Sequence, residues 1–208
     1  MSRETRDEME ATLRQYAWPG DLVHLPAVLP RIRILAAGDE IDLGAMRVGA
    51  GHTGHVAGGL WFSVVAGGVR LCYLGDVVPG SAVYPMTPPP TSDLVILDAS
   101  YGDDPVPCAA RVDAIRGWIA RHPGAAVLPT PLAGRALELL AVIEGRLAIA
   151  ADMRQALGAQ IAAPGAIRDT MRAPLLARLA AAQDWVPGTP LPDCPLLVHD
   201  GMGAAGPA

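Results

Sequence analysis

The sequence predicts an α/β fold in two parts, and three observations predict it. Residues 31–76 break into short apolar runs separated by tight-turn signals, Gly38-Asp39-Glu40 and Gly67-Gly68, the pattern of consecutive antiparallel strands. Beyond residue 104 the texture changes, and strand-length apolar runs alternate with helix-length periodic ones, the pattern of parallel βαβ pairing. The 208-residue chain is 51% hydrophobic and 18% charged, enough apolar side chain for a real core and too little charge for a disordered chain. The expected domains are therefore 1–104, dominated by hairpins, and 105–208, an α/β segment.

In order, residues 2–17 read as a helix, with Ser2 as its cap and Met9, Leu13 and Tyr16 on one stripe. Trp18-Pro19-Gly20 ends it, and Leu22–Leu29 is a connection whose His24 reads as a surface imidazole. Arg31–Ala36 alternates apolar with basic and predicts a half-buried strand; Ile41–Val48 predicts the next strand or a pair. A glycine-rich turn with His52 and His55 follows. Leu60–Ala66 and Val69–Leu74 then form a hairpin around Gly67-Gly68, ending at Gly75-Asp76. Val77–Pro90 is a long proline-rich loop. Asp93–Asp98 (DLVILD) is apolar throughout and predicts a strand covered on both faces. The second half predicts helices over Ala109–Arg121, Leu132–Ile143, Asp152–Leu157 and Thr170–Gln183, with strands at Ala125–Leu128, Arg146–Ala150 and Leu196–Val198.

Composition excludes several classes. The net charge of −5 gives no overall basic field for nucleic acid, and every basic residue apart from histidine is arginine. Cys72, Cys108 and Cys194 are odd in number and far apart, which argues against a disulfide framework or a thiolate zinc knuckle. The charged start (SRETRDEME) and the lack of a long uncharged apolar run predict no secretory signal, no membrane span and a cytoplasmic location.

The chemistry gathers around residues 51–76. A neutral imidazole from His55 and a carboxylate from Asp76 both suit zinc, and the small residues around His55 allow close approach. Two histidines in a loop beside a turn-capping aspartate is the bland alternative.

The order of motifs resembles the metallo-β-lactamase fold hydrolases, and more narrowly their β-CASP branch, the nucleases of RNA and DNA processing. Four segments carry the resemblance: Gly54-His55-Val56-Ala57-Gly58, with Gly59 where serine is usual; Gly75-Asp76; Asp98-Ala99-Ser100-Tyr101-Gly102; and Pro129 through Leu140. It implies a partial metallo-β-lactamase αββα sandwich followed by a β-CASP-like α/β segment. It also implies a two-zinc site with His55 as a metal ligand, Asp76 as the bridging ligand and Asp98 as the acidic catalytic residue, acting on RNA or other single-stranded nucleic acid. His52 lies outside the matched position. The family's HxHxDH ligand motif does not occur in these 208 residues. The resemblance therefore implies the middle of a longer protein, with missing ligands supplied by upstream sequence or a partner chain. The alternatives are a degenerate, non-catalytic scaffold subunit and a hydrolase of small esters or thioesters.

Overall fold

Ser2 starts the first helix, α1 (Arg3–Gln15), as the sequence predicts: its hydroxyl accepts the Thr5 backbone N–H at 3.1 Å, satisfying a donor the helix cannot. A computed structural model of the chain describes residues 1–15, 27, 29–100, 102–122, 124 and 126–199. The predicted stop at Trp18-Pro19-Gly20, the reading of His24, the Tyr16 end of the helical stripe, Tyr101 and the tail from Gly201 lie outside the described residues. The chain divides into two compact units. One comprises Met1–Pro79 and Pro85–Ala99, the other Gly80–Tyr84 and Ser100–Ala208.

The first unit holds a five-stranded sheet in the order β1-β2-β3-β4-β5, with β1 Glu40–Asp42, β2 Met46–His52, β3 Leu60–Ala66, β4 Val69–Gly75 and β5 Leu94–Leu97. The first four strands pair antiparallel in chain order. Ile41–Val48 is the strand pair. Its turn is fixed by Asp42 Oδ1, which accepts Gly44 N–H at 2.7 Å, and by Leu43 N–H on Met46 O. Ala66 pairs with Val69, so Gly67-Gly68 is a two-residue turn with φ of 55° and 79°, the doubly positive conformation that glycine adopts without strain. Burial alternates along β3 and β4: Trp61, Ser63, Cys72 and Leu74 are buried, with Phe62 and Tyr73 on the opposite face.

Two expectations fail in this unit. Arg31–Ala36 is not a strand. A 3-10 turn covers Leu29–Arg31, and the chain after it bonds outside any sheet: Leu35 N–H to Met1 O, Ala36 N–H to Asp39 Oδ2, and the N-terminal amine to Arg33 O. These partners take the backbone groups that a sheet ladder would have used. The DLVILD segment is a strand, but it is not covered on both faces. Leu94, Val95, Ile96 and Leu97 are all about half exposed. β5 joins β4 in parallel as the last strand of the sheet, so one edge has no neighbour, and among the described residues no element buries its faces. A continuous apolar run reports β-propensity; it does not report whether a cover exists.

The second unit holds a wholly parallel four-stranded sheet, as the strand–helix alternation predicts, in the order β6-β9-β7-β8. The strands are β6 Val127–Pro129, β7 Ala148–Ala150, β8 Gln183–Trp185 and β9 Leu196–Val198. The helices are α2 Cys108–Arg121, α3 Arg135–Val142, α4 Met153–Ala162 and α5 Asp169–Ala181. α3 is shorter than the sequence predicts, α4 longer, and β8 begins at Gln183, the last residue of a predicted helix. Its core is apolar and complete at the centre: Leu137, Leu140, Ile149, Met153, Leu157, Ile161, Leu175, Leu196 and Leu197 expose nothing measurable. Arg154 pairs with Asp184 at 2.7 Å and donates to Leu179 O and Ala182 O at the end of α5. α2 has no buried residue. Trp118 on it stacks on His122 with ring centroids 4.5 Å apart, and His122 Nδ1 lies 2.7 Å from Trp118 O. Both helices and both types of strand pairing are present, so the chain is mixed α/β.

Candidate functional site

The histidine loop, residues 53–59, joins β2 to β3 and is pinned from three sides. His52 N–H donates to Thr87 Oγ1 at 3.2 Å and Thr87 N–H returns to His52 O at 3.0 Å. Val78 N–H donates to Thr53 O at 3.0 Å, and Thr53 N–H to Gly59 O at 3.0 Å. Glycine is required by contact at two points. A Cβ on Gly54 would stand 2.4 Å from Val78 O, and one on Gly58 would stand 2.6 Å from Ser2 Oγ. The loop is thus clamped between the start of α1 and the segment that leaves β4.

That clamp brings His55 to Asp76. His55 Nε2 lies 3.5 Å from Asp76 Oδ2, with the imidazole 30% and the carboxylate 57% exposed. The other ring nitrogen, Nδ1, is buried and makes no hydrogen bond, while the His55 backbone N–H donates to Thr53 Oγ1 at 3.3 Å. Asp98 follows β5 directly, and its backbone N–H donates to Gly75 O at 3.1 Å. Because β4 and β5 run parallel, Asp76 and Asp98 emerge at the same end of adjacent strands, about 5 Å apart at the backbone. Parallel pairing, which the sequence reading did not assign to β5, places the two residues at adjacent strand ends.

His52 sits at the end of β2, half-buried. Its imidazole pKa is pushed below the ordinary 6.5 by burial, with the Glu4 carboxylate of α1 partly opposing. Between the lowered folded value and 6.5 the unfolded chain binds more protons than the folded one, so stability rises with pH there. We expect the urea midpoint to fall as pH drops below 6.5, and His52→Gln to flatten that dependence. An unchanged pH slope in the variant would show that other groups cause it.

The remaining residues singled out from the sequence have structural partners. Arg135 Nη1 donates to Glu138 Oε2 at 2.8 Å on α3. His199, for which the sequence offered no role, is 7% exposed, and its Nε2 lies 2.7 Å from Asp152 Oδ2. His199 follows β9 and Asp152 follows β7, neighbouring parallel strands whose order is not visible from sequence.

A catalytic zinc takes three protein ligands and one open position. His55 and Asp76 are two, and among the described residues no group of three or more histidine, cysteine, aspartate or glutamate side chains converges on one point. The described residues do not by themselves fit a catalytic zinc, and no hydrolytic step is assigned to them. No protein-family model matches the chain, and a search of curated proteins found no match. Among the described residues no helix is long and apolar enough to cross a membrane.

Proposed function

We propose that the chain is a portion of a metallo-β-lactamase-like phosphodiester hydrolase of the β-CASP type, inactive on its own. The αββα sandwich and the β-CASP segment are part of that proposal. The observation that carries it is the meeting of His55 with Asp76, 3.5 Å apart, at the strand end where Asp98 also emerges. Four motifs in the family's order support it. His55 and Asp76 would be two ligands of a zinc pair, Asp98 the neighbouring acid, and the remaining ligands would come from outside these 208 residues. RNA or single-stranded DNA would be the substrate.

The test is metal analysis and zinc titration of the chain after exhaustive dialysis. The expected result is well under one zinc per chain, weak binding abolished by His55→Ala and by Asp76→Asn, and no zinc-dependent cleavage of single-stranded RNA. Near two zinc ions per chain would overturn the incomplete site; zinc binding indifferent to both substitutions would overturn the ligand assignment. A second reading, a non-catalytic scaffold subunit, is favoured by the presence of only two converging donors among the described residues. The DNA ahead of Met1 separates the two. An in-frame HxHxDH supports the hydrolase, and its absence supports the scaffold.

A further inference from the structure

The first unit carries a hollow of about 350 Å³ that is not lined by His55, Asp76 or Asp98. It lies on the face of the sheet that buries Trp61, between the turn at Gly38–Glu40 and the prolines Pro88 and Pro90. The strand register explains its shape. Arg47, Val65 and Arg70 form one row across β2, β3 and β4, and Gly49, Ser63 and Cys72 form the next row on the same face. Two arginines therefore stand about 10 Å apart at the backbone, with only Val65 between them. Gly49 leaves the floor open: a Cβ there would find nothing nearer than Asp39 O at 4.0 Å.

Three polar groups face this space. Ser63 is 7% exposed and lines the hollow. Arg70 uses one guanidinium N–H on Thr91 O at 3.2 Å and, among the described residues, has no carboxylate within ion-pair distance. Arg47 reaches Glu40 only at 3.4 Å, with both side chains more than 60% exposed, a pairing that a better partner displaces readily. Of the acids at the rim, Glu40 is the one facing Arg47, and Asp39 turns its Oδ2 to Ala36 N–H at 2.8 Å.

We propose that this hollow binds a small phosphorylated molecule, with Arg47, Arg70 and the Ser63 hydroxyl on the phosphoryl oxygens. Donors converging from two flanks and the floor suit a tetrahedral oxyanion better than a planar carboxylate, which one guanidinium fork satisfies by itself. Val65, Pro88 and Pro90 give the carbon part of the ligand an apolar wall. The site is independent of the zinc reading and stands or falls separately.

Thermal unfolding and calorimetric titration with inorganic phosphate and with glycerol 3-phosphate test it, using acetate and sodium chloride at matched ionic strength as comparisons. Both phosphates should raise the melting temperature and give saturable heats; acetate and chloride should not. Arg70→Gln should weaken phosphate binding about tenfold or more. Ser63→Ala should weaken it several-fold. Gly49→Leu should fill the hollow and abolish binding with the sheet intact. No saturable binding to the natural chain, equal stabilisation by acetate, or binding unchanged in both Arg70→Gln and Gly49→Leu would each overturn the proposal. Arg70→Gln, a change at a partly exposed side chain, keeps the test decisive should Gly49→Leu fail to fold.

Discussion

Gly51→Val will unfold the first unit or cost it about 3 kcal/mol or more, whereas Gly49→Ala, two residues away on the same strand and the same face, will change stability by less than about 0.5 kcal/mol. The two glycines differ only in what lies above them. A Cβ on Gly51 would stand 2.2 Å from Cζ2 and 2.4 Å from Cε2 of Trp61. Trp61 is the register partner of Gly51 and 6% exposed, and it packs with Cys72, Leu74 and Val77 in the core of this unit. It cannot yield cheaply, because its Nε1–H donates to Thr87 O at 2.8 Å and Thr87 in turn pairs with His52. Displacing the ring loses apolar burial, leaves an indole N–H without its acceptor and loosens the segment that pins the histidine loop. Urea unfolding followed by amide exchange at β3 and β4 measures both variants. Comparable losses for the two would show that the strand needs glycine for its backbone and not for the ring.

What sequence could and could not show follows from the range of the interactions involved. The β3–β4 hairpin was legible to the residue, because a Gly-Gly turn sets its own register and that register carries Arg70 opposite Val65. The parallel sheet of the second unit was legible because strand–helix alternation leaves parallel pairing as the simple solution. The strand order β6-β9-β7-β8 was not, since nothing local inserts the last strand between the first two. DLVILD shows the limit most plainly. Its apolarity correctly marks a strand but does not establish burial, which depends on what the rest of the chain supplies. At the candidate site, the nearness of His55 to Asp76 was anticipated from the motif order, but the device that produces it, the Val78–Thr53 hydrogen bond with Gly54 against Val78 O, is a contact between segments 25 residues apart. The hollow beneath Arg47 and Arg70 had a signal in the hairpin register, but its depth depends on the open space above Gly49 and on prolines that a sequence reading treats only as loop.

Tyr84 provides the second large effect, and it lies in the long proline-rich loop that the sequence predicts over residues 77–90. Gly80–Tyr84 belongs to the second unit, where it is bonded at every turn. Ser81 Oγ donates to Glu138 Oε1 at 2.7 Å and accepts the backbone N–H groups of Val83 and Tyr84. Arg168 N–H donates to Val83 O at 2.8 Å, and Arg168 Nε to Ser81 O at 3.2 Å. Tyr84 is fully buried, with its hydroxyl donating to Gly134 O at 2.6 Å just ahead of α3. A five-residue stretch separated from the rest of the unit in sequence thus fills a place in its core and donates to the carbonyl just ahead of α3. Tyr84→Ala should cost the second unit about 3–5 kcal/mol, the range for emptying a buried aromatic site. Tyr84→Phe should cost about 1 kcal/mol, because it keeps the ring and removes the hydroxyl that donates to Gly134 O. Amide exchange at β7 and β9 reads the result, since those central strands open only with the unit as a whole. A Tyr84→Ala loss no larger than that of Tyr84→Phe would mean that the ring contributes nothing and that the segment is an accessory strap, not part of the core.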